Sequence, residues 1–310
     1  MNKICVLGSM NMDMVLNVKN LPKKGETLLV NNMEKIPGGK GANQAVAAQR
    51  LGSNVYMIAQ IGEDDNGEIL LDCLKKDGIN TDYVFKDKFN PTGLAIITVD
   101  ENADNMISVI SGANMTINNE QIKEAEEIIK NCNIVISQFE TPIETTIETF
   151  KIAKENGIIT ILNPAPATSV PDELLNVTDI IVPNETEALE LTDVEVKDLE
   201  SAKIAATKFI DKGVNYVIIT LGEKGAALIT KEQADLIPAY KVAAVDTTAA
   251  GDSFIGAVSS KLSKAPKVDY EVLKKAINFG NKVSSIAVTK KGAQISLPTL
   301  EEVVNKYGEE

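Results

Sequence analysis

The chain has 310 residues, 44% hydrophobic and 24% charged, with a formal net charge of −13, a composition that fits a soluble globular enzyme and excludes a disordered chain. The acidic balance argues against a nucleic-acid partner, and no apolar run approaches the roughly 20 residues that span a bilayer, so no membrane partner is expected. Histidine is absent and Arg50 is the only arginine, which removes a Ser-His-Asp triad, a histidine base and an ordinary catalytic zinc site, and leaves phosphate handling to backbone N–H groups, helix N-termini, lysines and a metal ion.

In chain order, the opening MNKICVLGSM reads as a strand, Ile4–Leu7, and not as a signal peptide, so the expected location is the cytoplasm. Further strands are predicted at Val55–Ile61, Ile134–Ser137, Ile158–Leu162, Asp179–Val182 and Tyr216–Thr220. Helical patterns lie between them at Ala42–Leu51, Asn66–Lys76, Asn119–Lys130, Ile143–Asn156 and Lys197–Lys212. This alternation predicts an α/β fold with a mostly parallel sheet covered on both faces. Two stretches break the rhythm, Met14–Ile36 and Pro91–Ser111. Their short strands MVLNV, TLLVNN, GLAIITVD and NMISVIS predict a small, partly exposed antiparallel sheet, with extra strands on the main sheet as the alternative. Cys5, Cys73 and Cys132 sit singly in apolar segments and read as reduced core thiols.

Three segments carry the chemistry. GSMNMD (Gly8–Asp13) follows the first strand, where an aspartate could accept hydrogen bonds from sugar hydroxyls or simply cap a turn. GGKGAN (Gly38–Asn43) opens a helix and lets the backbone approach a ligand. It is neither a Walker A loop, for want of the spacing and the Ser/Thr, nor a dinucleotide fingerprint, since Gln44 stands at the third glycine's place. VDTTAAGDSF (Val245–Phe254) opens the helix Gly251–Ser263. Its small residues form a nest for an anion, and Asp252 is placed to accept a proton from an attacking alcohol. Asn184 and Glu187 in PNETE, and the glycine turn Thr220–Gly225 between two strands, suit metal-bound water and nucleotide phosphates, or are structural turns.

Together these segments resemble the ribokinase family within the PfkB-type carbohydrate kinases, from Gly8 to Ser296. GGKGANQA and DTTAAGD carry the likeness, with NPAPA at Asn163–Ala167 and AVTKKGAQIS at Ala287–Ser296. The resemblance implies a Rossmann-like α/β domain (1–13, 37–90 and 112–310) with a β-sheet lid (14–36 and 91–111) that pairs into a homodimer. It implies that Asn11, Met12, Asp13, Gly39, Lys40, Gly41, Ala42, Asn43 and Glu140 bind the sugar. Asn184, Glu187, Thr220, Leu221, Gly222, Glu223, Lys224, Gly225 and Asn281 would serve ATP with Mg2+. Asp252 would be the general base beside an anion hole at Ala249, Ala250 and Gly251. Asp246, Thr248, Ala287, Lys290, Gly292 and Ser296 resemble a K+ site. The implied reaction is phosphorylation of ribose by ATP. Another sugar or nucleoside as substrate, or a non-catalytic sugar-binding regulator, remain the alternatives.

Overall fold

The computed structural model describes residues 2–30, 32–101 and 105–309. From the amino terminus the chain forms β1 (Lys3–Leu7), β2 (Asn11–Asn17), β3 (Met33–Gly38), α1 (Lys40–Arg50), β4 (Asn54–Gly62), α2 (Asp65–Lys76), β5 (Asn80–Asp87), β6 (Gly93–Val99) and β7 (Asn105–Ile110). It continues with α3 (Asn119–Glu124), α4 (Glu126–Lys130), β8 (Ile134–Ser137), α5 (Ile143–Glu155), β9 (Ile159–Leu162), α6 (Asp172–Asn176), β10 (Ile180–Ile181), α7 (Glu185–Thr192) and α8 (Leu199–Ile210). The last elements are β11 (Tyr216–Thr220), β12 (Ala226–Ile229), β13 (Ala234–Ile237), α9 (Ala250–Leu262), α10 (Tyr270–Ala287) and α11 (Leu300–Tyr307).

Nine strands make the main sheet in the order β13-β12-β11-β10-β9-β8-β1-β4-β5. The pairs from β5 through β11 are parallel, and β12 and β13 close one edge as an antiparallel meander. Central strands such as KICVL and IVIS are apolar without interruption because both faces are covered. Ile4 and Val6 enter a core with α1, α2, α9 and α10. Cys5 and Leu7 enter a second core with helices α3 to α8 on the opposite face. The three cysteines are free, Cys5 and Cys132 buried as expected of core thiols and Cys73, on α2, only half-buried. The sheet grows from β1 to β4 on one side and to β8 on the other, so the strand order reverses at β1. In open α/β sheets the crevice beyond the carboxyl ends at such a point is where ligands bind.

A separate four-stranded sheet has the order β3-β2-β6-β7. It is mixed, not antiparallel as the sequence led us to expect, because its central pair β2/β6 is parallel while β2/β3 and β6/β7 are antiparallel. The cause is connectivity. Both β2 and β6 continue from strands of the main sheet that run in one direction, β1 and β5, and so leave its carboxyl edge together. The third strand is also displaced: TLLVNN lies partly outside the described residues, Thr27–Val30 form no strand, and the pairing partner of β2 is Met33–Gly38. The sheet reaches back to Asn11 and Gly38, past the expected limits at Met14 and Ile36. Two further elements are shorter than predicted. The helix expected over Asn119–Lys130 divides at Ala125, whose N–H donates to both Gln121 O and Ile122 O as the earlier turn closes. The strand expected over Asp179–Val182 pairs regularly only at Ile180–Ile181.

Candidate active site

The carboxyl ends of β1, β8, β9, β10 and β11 converge on the first turn of α9. A cavity of about 200 Å³ there is lined by Lys40, Asn163, Asn184, Glu187, Thr220 and Gly251–Asp252, among others. Eight of the residues singled out from sequence therefore meet at one place: Lys40, Asn184, Glu187, Thr220, Ala249, Ala250, Gly251 and Asp252.

Two glycines make the approach of α1 feasible. Gly39 is the N-cap of α1 with φ 90, a left-handed value, and a Cβ there would lie 2.7 Å from Asn11 N. Gly41 faces the backbone of Gly8, where an added Cβ would come within 2.6 Å of Gly8 Cα. The close contact lets Ala42 N donate to Ser9 O at 2.9 Å and Gly41 N to Ser9 Oγ at 3.3 Å. Ser9 Oγ in turn donates to Glu140 Oε2, which also accepts from Lys40 N. Sequence reading missed Ser9, whose small polar side chain inside the first motif was the available signal.

Asp252 is 8% exposed. Its Oδ2 accepts from Asn43 Nδ2 and its Oδ1 from Gln44 Nε2, both at 2.9 Å. The other Asn43 amide atom, Oδ1, is buried without a partner among the described residues. Asn11 Oδ1 accepts from Asn114 Nδ2 at 2.7 Å, and its Nδ2 makes no hydrogen bond among the described residues. Asp13 lies on β2 with its carboxylate against Gly38. Burial, then the nearby Glu140 and Asp252, push its pKa up to about 7. Burial alone would lower the Lys40 pKa, but the carboxylates of Asp252, Glu140 and Glu187 outweigh it and hold the ammonium above its ordinary value.

Helix α9 begins at Ala250, one residue earlier than the sequence implied, and its N-cap Ala249 adopts φ 57, a left-handed conformation outside glycine's usual monopoly. Such a backbone costs roughly 1–2 kcal/mol. It leaves the helix without a side-chain cap. Ala250 N donates to Thr247 O at 3.1 Å, whereas Gly251 N and Asp252 N have no acceptor among the described residues. Ala249 N also has no acceptor among the described residues, so of the expected set only Ala250 N is engaged, and Asp252 N joins the open donors. An added Cβ on Gly251 would meet nothing within 4 Å, so this side of the turn is open. Free N–H groups at a helix start attract anions. Arg50 takes no part: it holds Asp77 through two nitrogens and donates to Gln294 O and Leu297 O.

Residues 1–300 match the family described as pfkB family carbohydrate kinase. The chain belongs to that family. Ribokinase of Staphylococcus aureus is 46% identical over 303 residues, 97% of this chain and 98% of that protein. Deoxyribokinase of Salmonella typhimurium is 39% identical over 305 residues, 98% of each. The solved structure of Arabidopsis thaliana ribokinase complexed with ribose and ATP superposes with a TM-score of 0.90 at 32% identity, covering 97% of each chain.

In this carbohydrate kinase the other sequence-derived residues lie around the cavity or away from it. Asn184 and Glu187 form a reciprocal cap at the start of α7, and burial raises the Glu187 pKa above its ordinary value. Thr220 pairs with Asn184 as an isolated parallel bridge. Beyond it Leu221 and Gly225 are buried, while Gly222, Glu223 and Lys224 form an exposed turn into β12. Asn281 is not at the cavity: its amide donates to Ile237 O and Pro238 O at 3.1 Å, pinning α10 to the end of β13. Asp246 ties two loops together. Its Oδ1 accepts from Thr248 N and Thr248 Oγ1, and its Oδ2 from Gly292 N at 2.8 Å. These bonds hold its pKa below the ordinary value against burial, which acts the other way. Ala287 O accepts from Lys290 N, and Ser296 Oγ donates to Ala293 O.

Proposed function

We propose that this chain transfers the γ-phosphoryl group of ATP to the 5-hydroxyl of D-ribose, with Asp252 as general base. The observation that carries the reading is the pairing of a buried carboxylate, fixed through both oxygens, with unpartnered N–H groups in the same helical turn. The sugar hydroxyl passes its proton to Asp252 while its oxygen forms the new bond to phosphorus. The bond between phosphorus and the bridging oxygen breaks, and ADP leaves with that electron pair. Gly251 N–H and Asp252 N–H face the charge that develops on the phosphoryl oxygens. Asp13, Glu140 and the orphan Asn43 Oδ1 are acceptors for sugar hydroxyls, because a buried unpaired acceptor is costly until a donor arrives.

Asn184 and Thr220, at adjacent strand ends, flank the path of the nucleotide phosphates. Among the described residues no three acidic side chains cluster as a protein-built metal cage. The donors present suit a Mg2+ carried on the phosphates and reached by Glu187 through water, where it would neutralise phosphate charge. In this reading the carbonyls of Asp246, Thr248, Ala287, Lys290 and Gly292 and the Ser296 hydroxyl supply the oxygen donors of a cation site between the two loops that Asp246 ties together. That chemistry fits a weakly hydrated cation such as K+, which would hold the turn carrying Ala249. The small sheet, with Ile107 54% and Val109 53% exposed, acts as lid and homodimer interface. No helix of the described residues is long and apolar enough to cross a membrane, and a kinase drawing on ATP would work in the cytoplasm.

2-Deoxyribose is the competing substrate, favoured by the similarity to a deoxyribokinase. A panel of ribose, 2-deoxyribose, fructose and adenosine with ATP and Mg2+, read by coupled ADP formation, separates them. Ribose should give the highest kcat/KM. Loss of sugar-dependent ADP formation in Asp252→Asn, by roughly 10²–10⁴ in kcat, distinguishes an enzyme from a sugar-binding regulator. Wild-type turnover in that variant refutes the base assignment.

A further inference from the structure

The buried side of Asp252 is held by a chain of side-chain amides whose polarity is set at both ends. Asn163 Nδ2 donates to Val182 O at 3.2 Å, which turns Asn163 Oδ1 toward Gln44. Gln44 Nε2 donates to Asn163 Oδ1 at 3.1 Å and to Asp252 Oδ1 at 2.9 Å. Gln44 Oε1 accepts from Gln138 Nε2 at 2.7 Å. Both Gln44 hydrogens and its oxygen are therefore engaged. The flipped amide would set its oxygen against the carboxylate and against Asn163 Oδ1, so only one orientation is tolerated.

Gln44 and Gln138 are fully buried. Gln138 reaches its place because Gly8 has no side chain: a Cβ there would stand 2.2 Å from Gln138 Oε1. That oxygen has no partner among the described residues. An unsatisfied buried amide is a cost that an apolar side chain of similar size would not carry. The chain links the ends of β8 and β9 and the first turn of α1 to a carboxylate on α9. Asn43 alone would hold one carboxylate oxygen and leave the group free to rotate about its bond to the chain. With Gln44 on the second oxygen, the plane of the carboxylate is fixed.

We infer that Gln44, braced by Gln138 and Asn163, is a positioning residue that sets the orientation of the Asp252 carboxylate toward the reacting hydroxyl. The inference rests on the reading of Asp252 as general base. Gln44 touches neither sugar nor nucleotide in this scheme, so its loss lowers the rate of the chemical step while leaving both substrates bound as before.

The test is steady-state kinetics with ribose and ATP on the wild type, Gln44→Leu, Gln138→Leu, Asp252→Asn and the double variant Gln44→Leu/Asp252→Asn. ATP binding by calorimetry and thermal unfolding establish that each is folded. Gln44→Leu should lower kcat by roughly 10–100-fold, the scale of a small misplacement of a catalytic group, with both KM values within about threefold. Gln138→Leu should act in the same direction by a smaller factor. In the Asp252→Asn background, Gln44→Leu should change kcat by less than about threefold, since no base remains to be positioned. A folded Gln44→Leu with kcat near wild type, beside an impaired Asp252→Asn, overturns the positioning role. So does a full multiplicative loss in the double variant, which marks a general structural effect. Wild-type turnover in Asp252→Asn overturns the base reading itself. If Gln44→Leu does not fold, Gln138→Leu decides, and an unchanged kcat in that folded variant overturns the inference.

Discussion

Asp13 gives a test of the site that needs no substrate. Its ordinary pKa of 3.8 rises to about 7 in the folded chain through burial and the neighbouring Glu140 and Asp252. An acid whose pKa is raised by folding keeps its proton in the native state after the unfolded chain has released it. Stability then falls as pH rises from about 3.8 to about 7, is unaffected below that window, and carries the whole cost above it. The interval from 3.8 to about 7 corresponds to roughly 4 kcal/mol at pH 8. By the same relation about 1.7 kcal/mol of it is already present at pH 5, so roughly 2.5 kcal/mol develops between pH 5 and pH 8. Asp13→Asn keeps the shape beside Gly38 and removes the charge. Its advantage over the wild type should grow by that amount between the two pH values, or about 4 °C in Tm for a chain of this length. The measurement is thermal unfolding of both proteins without sugar at pH 5, 6, 7 and 8 and constant ionic strength. Taking the difference removes the other titrating groups common to both. A difference that stays flat, or shrinks, as pH rises refutes the reasoning. The same variant should lose roughly thirtyfold in kcat/KM for ribose, since a charged acceptor is gone.

Replacing K+ by tetramethylammonium at fixed ionic strength should lower the initial velocity of the wild type and not that of Asp246→Ala; equal wild-type rates in the two ions count against a cation between the Asp246 loops. Light scattering at high micromolar concentration should give a dimer, and Ile107→Glu with Val109→Glu should give a folded monomer; a wild-type monomer removes the small sheet as an interface. Gly256→Ala should destabilise by roughly 1–3 kcal/mol, because its Cβ would stand 2.5 Å from Ala47 Cβ and 2.9 Å from Gln44 O where α9 crosses α1. Chemical denaturation measures it, and a wild-type midpoint would mean that the crossing relaxes.

The main sheet was legible because strands buried on both faces carry unbroken apolar runs, and helices of ordinary length separate them. Edges were harder. The strand after the Thr220–Gly225 turn was expected and is β12, AALI, whereas β13 and β5, the latter largely polar in NTDYVFKD, were not foreseen. TLLVNN has the composition of a strand, yet Leu29 is 94% exposed, since composition alone does not say which side of a turn pairs. The direction of β6 against β2 follows from where both leave the parent sheet, which no local pattern encodes. The glycine motifs located the site, since Gly39 and Gly41 are there to let backbones touch. The partners of Asp252 were hidden, because Gln44 and Gln138 become meaningful only when α1, β8 and α9 meet.

The charge of the site bears on how it takes a polyphosphate. Three carboxylates, those of Glu140, Glu187 and Asp252, act on one ammonium, Lys40, a fourth, Asp13, lies near Glu140 and Asp252, and the chain's sole arginine is committed to Asp77 and to carbonyls elsewhere. The raised pKa of Asp13 and of Glu187 is the cost of that crowding and of burial, and the raised pKa of Lys40 is its counterpart. A bare triphosphate would meet net repulsion here, relieved only by Lys40 and by N–H groups at the start of α9. A divalent cation on the phosphates changes the sign of the encounter, turning nearby carboxylates from repulsive into attractive neighbours. Under the proposed reading, Asp13 and Glu140 are also the acceptors that sugar hydroxyls require. An acidic pocket with backbone donors at one end thus reconciles two ligands of opposite demand, a neutral polyol that needs acceptors and an anion that needs donors.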